Sequence, residues 1–127
     1  MAVKSRRFFP PHPFICICDP TKVDEFPTHP SEFPGDKQIH ASNAFIVVLI
    51  DTAEDFRTKV TLGPADEAGP ATPPVFDRVL DTPTRSIRVA TSDDQALLVQ
   101  SVPEQHTRIR IWGNRPEAPD EVIIGVG

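Results

Sequence analysis

Thr107-Arg108-Ile109-Arg110-Ile111-Trp112-Gly113-Asn114, then Arg115-Pro116-Glu117-Ala118-Pro119-Asp120, then Glu121-Val122-Ile123-Ile124-Gly125-Val126 is the stretch on which the fold turns. Successive side chains of a strand point to opposite faces, so the first run places Ile109 and Ile111 on one side and Arg108, Arg110 and Trp112 on the other. Two prolines and two acids then signal a turn, and a β-branched apolar run follows. The predicted element is a hairpin at the centre of an antiparallel sheet.

Working outward, the same signals recur. Ala44-Phe45-Ile46-Val47-Val48-Leu49-Ile50 is an uninterrupted apolar run ending at Asp51, as expected of a strand buried on both faces. Thr52–Phe56 resembles a capped single turn with Thr52 as N-cap. Arg57–Leu62 alternates, with Val60 and Leu62 on one face and Lys59 on the other, and is predicted to form a hairpin with the preceding strand. Phe14–Cys18, Val75–Leu80 and Ser86–Thr91 complete the clearer set. Gln95–Val102 has two readings, because Ser92 and Gln95 are spaced as a helix capping box. Its position between alternating runs and its end at Pro103 favour a strand. The prediction is an all-β chain, an antiparallel β-sandwich of about eight short strands joined by long Pro-rich loops.

Fifteen prolines against six glycines in 127 residues support that class, because proline in a helix interior costs about 3 kcal/mol. Two segments read as loops. Residues 21–43 carry the Phe-Pro pairs at Phe26 and Phe33 and are expected to pin to the body through those rings. Residues 63–74 hold three Pro-containing turn signals and are expected to be mobile. Residues 1–13 read as a flexible basic tail and residues 14–127 as one sandwich domain. Ser5-Arg6-Arg7-Phe8-Phe9 has the core of a twin-arginine export signal, but Pro10, Pro11 and Pro13 interrupt the apolar stretch that such a signal needs. Two cysteines are too few for the disulfide framework of a small secreted scaffold, so a cytoplasmic location is expected, as is a soluble chain, since no run approaches the length of a membrane span.

A formal charge of −5 argues against direct nucleic-acid binding, which needs clustered Lys and Arg to neutralise phosphates. Cys16 and Cys18, spaced i,i+2 in an apolar strand, read as core residues rather than zinc ligands with His12, His29 or His40. No metal or cofactor is expected, and no hydrolase or phosphate-loop motif is present. The acidic pairs Asp93-Asp94 and Asp120-Glu121 fall at turns, where Asp serves local hydrogen bonding. One electrostatic pattern remains. Arg88, Arg108, Arg110 and Trp112, together with Lys59, would form a basic sheet face if their strands were neighbours, and Trp and Arg are enriched at interface hot spots.

Residues 44–127 resemble the small inhibitor proteins that partner the bacterial competence DNA-entry nuclease, and related β-sandwich immunity-like proteins. The similar stretches are Ala44–Asp51 with Lys59-Val60-Thr61, Ser86-Ile87-Arg88-Val89, and Ile109–Asn114 through Asp120–Ile124. Where that family tends to open the late strand with a Gly and a Tyr, this chain has Gln105-His106-Thr107 and no Tyr. The resemblance implies an acidic, non-enzymatic sandwich that binds a basic nuclease or toxin. Glu117, Asp120 and Glu121 would then stand in for phosphate. The alternative is an accessory module using the Arg/Trp face for a peptide or anion, and a third reading is a small hydrolase with an unrecognised site.

Overall fold

The computed structural model describes residues 3–10, 13–25, 38–50, 57–91, 95–115 and 119–127. The Phe26/Phe33 loop, the Thr52 turn, Asp93-Asp94, His12, His29 and Glu117 lie outside the described residues. Among those described, ten strands form: β1 (Lys4–Phe8), β2 (Phe14–Cys18), β3 (Ile39–Ala41), β4 (Phe45–Leu49), β5 (Thr58–Pro64), β6 (Phe76–Asp81), β7 (Ser86–Thr91), β8 (Ala96–Ser101), β9 (His106–Gly113) and β10 (Glu121–Val126). A 3-10 helix, Pro20–Glu25, follows β2, and a one-turn helix α1, Ala65–Ala68, follows β5.

The strands make two five-stranded sheets, ordered β1-β5-β10-β9-β6 and β3-β4-β2-β7-β8. The predicted hairpin is present: β9 and β10 pair antiparallel with Trp112 opposite Ile123, and β10 holds the middle of its sheet. Ile15 and Ile17 from one sheet and Ile109, Ile111 and Ile124 from the other are completely buried in one shared core. Each such side chain contributes roughly 1.5–3 kcal/mol relative to exposure. Gln95–Val102 resolves as strand β8, paired with β7.

Four expectations change. The count is ten strands rather than about eight, because β1 and β3 were not anticipated. Residues 4–8 of the expected tail form an edge strand on β5, with Phe8 buried in the core. The hairpin between 44–50 and 57–62 does not form. β4 lies between β3 and β2 in one sheet while β5 pairs with β1 and β10 in the other, and the β5–β10 pair is parallel. Finally, residues 63–74 include the end of β5 and α1, whose Ala65 is buried against Gly125 and close to Trp112.

The apolar runs of β2 and β4 follow from burial on both faces. Ile15, Ile17, Ile46 and Val48 face the shared core, while Cys16, Cys18, Phe45 and Val47 form a second cluster with Phe14 and Val23. Both cysteines are free thiols buried in that cluster, packed as small apolar side chains. At the corner where the chain passes from β6 to β7, the turn Thr82–Arg85 crosses between sheets, with Arg85 at φ 57°. Asp19, fully buried at the end of β2, binds that turn through Thr84.

Candidate functional site

The four residues of the expected basic face do not converge. Arg88 lies on β7 of the opposite sheet, in register with Cys18. Arg108 and Arg110 are neighbours on β9, but each is engaged within the molecule. Arg108 donates from Nε and Nη2 to both carboxylate oxygens of Asp77, at 2.8 and 2.7 Å. This bidentate bond lowers the Asp77 carboxyl below its ordinary value and raises Arg108 above its own. Arg110 Nη2 donates to the carbonyl of Gly127 at 2.6 Å. Both members of the Arg108–Asp77 pair are largely in solvent, where screening and side-chain entropy leave an ion pair little net value. Arg108→Ala is accordingly expected to leave the urea midpoint of unfolding unchanged within error.

Trp112 faces away from the sandwich core, as alternation requires, yet it is only 7% exposed. The end of β5, α1 and the residues after it fold back over it. Its Nε1 donates to the carbonyl of Thr72 at 2.7 Å. Two glycines make room for this approach. A Cβ on Gly69 would lie 2.5 Å from Trp112 Cη2, and one on Gly125 would lie 2.8 Å from Ala65 Cβ and 3.0 Å from Trp112 Cζ3. Trp112 is thus a packing centre on the outer face, with one edge left at the surface.

That edge borders a groove of about 210 Å³ whose lining includes Pro73, Val75, Asn114, Glu121 and Ile123. The acidic turn borders it too, and its two described acids differ. Asp120 closes the turn: its Oδ1 accepts from Asn114 Nδ2 at 2.5 Å, and Arg115 Nη2 stands 3.7 Å from its Oδ2. Asn114 Oδ1 in return accepts from the N–H groups of Asp120 and Glu121. Glu121 is exposed, and among the described residues its carboxylate has no hydrogen bond or ion pair. Asp66 and Glu67 are exposed on α1, which packs against β10 and β5. The groove can therefore receive the aliphatic stem of a cationic side chain on Ile123 and Val75, with its charge at Glu121. Ile123 and Val75 were not singled out from sequence, although Ile123 lies two residues from Glu121 and hence on the same face.

A structural search gives two relevant matches. The crystal structure of ComJ, inhibitor of the DNA degrading activity of NucA, from Bacillus subtilis, aligns over 97% of this chain and 93% of its own, with a TM-score of 0.63 and 10% identity. The fold is shared with ComJ. The product of crocagin biosynthetic gene J aligns over 99% of this chain and 97% of its own, with a TM-score of 0.55 and 13% identity. No protein-family model matches the chain, and no curated protein matches it by sequence. Because the likeness to ComJ covers 97% of this chain, the resemblance read over residues 44–127 extends at fold level to nearly the whole chain. Among the described residues no helix is long and apolar enough to cross a membrane.

Proposed function

We propose that this protein is a small non-enzymatic binding protein that inhibits a nuclease or toxin by docking on it. The supporting observation is the fold it shares with a nuclease inhibitor over nearly the full length of both chains. In this reading Glu121 is the partner-facing acid beside the Trp112 groove, Asp120 shapes the turn that presents it, and the partner offers a Lys or Arg. Arg108, Arg110 and Trp112 maintain the face from within, and Arg88 takes no part. The formal charge of −5 speeds encounter with a basic enzyme cleft.

The test is DNA degradation by secreted and competence-type nucleases of the source organism, titrated with purified protein. Stoichiometric loss of activity is expected with the cognate enzyme, and Glu121→Lys should weaken inhibition about tenfold or more, since it turns an attraction into a repulsion. Full nuclease activity in the presence of excess protein across that panel would sink the proposal.

A further inference from the structure

The two lateral edges of the sandwich are treated differently. On one side β1 turns Lys4 and Arg6 toward the opposite sheet. Lys4 Nζ donates to the carbonyl of Val99 at 2.8 Å, and Arg6 Nη1 lies 3.4 Å from the carbonyls of Ala96 and Leu97. These inward cations bridge the edge strands β1 and β8 and occupy acceptors that an added strand would use. On the other side, among the described residues, the middle of β6 has no such cover.

The ladder fixes which β6 groups are open. Leu80 stands opposite Thr107, and Thr82 N–H donates to Gln105 at 2.8 Å, so the even-numbered residues turn their main chain toward β9. Within β6 the odd-numbered residues turn theirs outward, whereas Val75, just before the strand, donates its N–H inward to the Ile111 carbonyl at 2.8 Å. Asp81 follows this rule, its N–H donating outward to Asn43 at 2.8 Å. Asp77 and Val79 are the remaining outward pair, and among the described residues their N–H and C=O groups have no hydrogen-bond partner. Val79 is 58% exposed and Val75, just before the strand, 48%.

We propose that β6 is the edge on which a partner protein lays an extended segment, adding a sixth strand through the main-chain groups of Asp77 and Val79. The proposal builds on the partner-binding reading above and names its docking element. The side chains specify the segment. Arg78 is exposed at the core-side rim, its guanidinium 5.9 Å from the Phe76 ring centroid, and asks for an acid or amide opposite. On the outer side Asp77 is occupied by Arg108, leaving Val79 to meet a β-branched or other apolar residue. Val75 lines both this edge and the Glu121 groove, so the two surfaces are continuous.

A second copy of this chain fits poorly. Antiparallel self-pairing through Asp77 and Val79 sets Arg78 against Arg78. Sliding by one hydrogen-bonded pair sets Asp77 against Asp77, or against Asp81, and like charges directly opposite destabilise.

Val79→Pro isolates the edge, because it deletes an outward N–H while the even-numbered ladder to β9 stays intact, a setting in which a strand tolerates proline. The probe is a random-dodecamer display library selected on the immobilised wild-type protein, with Val79→Pro as the counter-target. Enriched dodecamers should alternate apolar with acidic or amide residues and bind Val79→Pro about tenfold or more weakly, while its thermal midpoint stays close to wild type. No enrichment, or clones that bind both proteins equally, would overturn the proposal. If Val79→Pro unfolds, hydrogen exchange on wild type decides: a bound dodecamer must slow the Asp77 and Val79 amides, and unslowed amides overturn the edge. A nuclease inhibited equally by both proteins sinks the edge alone and leaves the inhibitor reading standing. Strand peptides that bind without any nuclease being inhibited do the reverse.

Discussion

Replacing Trp112 by Ala is expected to lower the free energy of unfolding by about 3–5 kcal/mol, the range for truncating a large buried aromatic side chain. The indole lies outside the sandwich core, so a reader of the sheet alone would expect a small effect. The cover decides otherwise. Gly69 and the Thr72 carbonyl meet the ring, and Gly125 is bare on the strand beneath it, where a Cβ would press on both Ala65 and the indole. Without the indole, the segment from α1 onward loses its anchor and the Thr72 carbonyl loses its donor. Trp112→Phe keeps most of the apolar contact and forfeits the N–H bond, so it should cost about 0.5–1.5 kcal/mol from that bond, plus a smaller loss of packing. Gly125→Ala attacks the same contact by overfilling it, and about 1–3 kcal/mol is expected, because Ala65 and the ring must both shift. Urea unfolding followed by far-ultraviolet circular dichroism measures all three, since the chain has no other Trp to serve as a fluorescence probe. A loss below about 1 kcal/mol for Trp112→Ala would mean that the cover is only loosely seated.

The same residue shows how far the sequence could be read. Alternation in Arg108–Trp112 correctly gave the strand, its inner isoleucines and its hairpin with residues 121–126, because period two is imposed by the backbone itself. It also correctly put Trp112 on the outer face. What alternation cannot express is a second layer on that face, and the layer here is a Pro- and Gly-rich segment with almost no hydrophobic pattern of its own. Of the glycines that permit it, Gly69 reads as part of a Gly-Pro turn signal and Gly125 as one more residue of the apolar run 121–126. Sheet assignment failed for a related reason. Adjacency in sequence suggested pairing for β4 and β5, but β4 is apolar on both faces and requires neighbours and cover that β5, with Lys59 on one face, cannot supply. The edge strand β1 was hidden by its charges. Lys4 and Arg6 sit where an alternating strand would carry core residues, and only the β8 carbonyls explain them. The acidic end of the candidate site was legible as a turn, but not the division of labour by which Asp120 is spent on Asn114 and Glu121 is left open.

Asp19→Ala is the second substitution with a large expected cost, about 2–5 kcal/mol, and it should also remove part of the acid sensitivity of the fold. Asp19 is fully buried and has no cationic partner among the described residues, so burial pushes its carboxyl up. Four hydrogen bonds more than reverse that push. Oδ1 accepts from the N–H and Oγ1 of Thr21 at 2.9 and 2.7 Å, and Oδ2 accepts from the N–H and Oγ1 of Thr84 at 2.8 and 2.7 Å. Every lone-pair direction meets a donor, so the ionised form is favoured and the carboxyl titrates below its ordinary value. With the folded value depressed, the unfolded chain takes up its proton first, at about pH 4. The contribution of Asp19 is complete above that pH and is lost as pH falls toward and through the folded value. Asp19→Asn should be nearly as damaging as Ala, because an amide offers one acceptor oxygen and turns an NH2 group toward the donors of whichever threonine it faces. Thr21→Ala and Thr84→Ala each leave the main-chain N–H bonds in place and should cost about 1 kcal/mol. Urea midpoints of wild type and Asp19→Asn measured from pH 7 to pH 3 provide the check. The two curves should converge as pH drops below about 4, and a constant separation across that window would show that the carboxylate of Asp19 does not hold this corner.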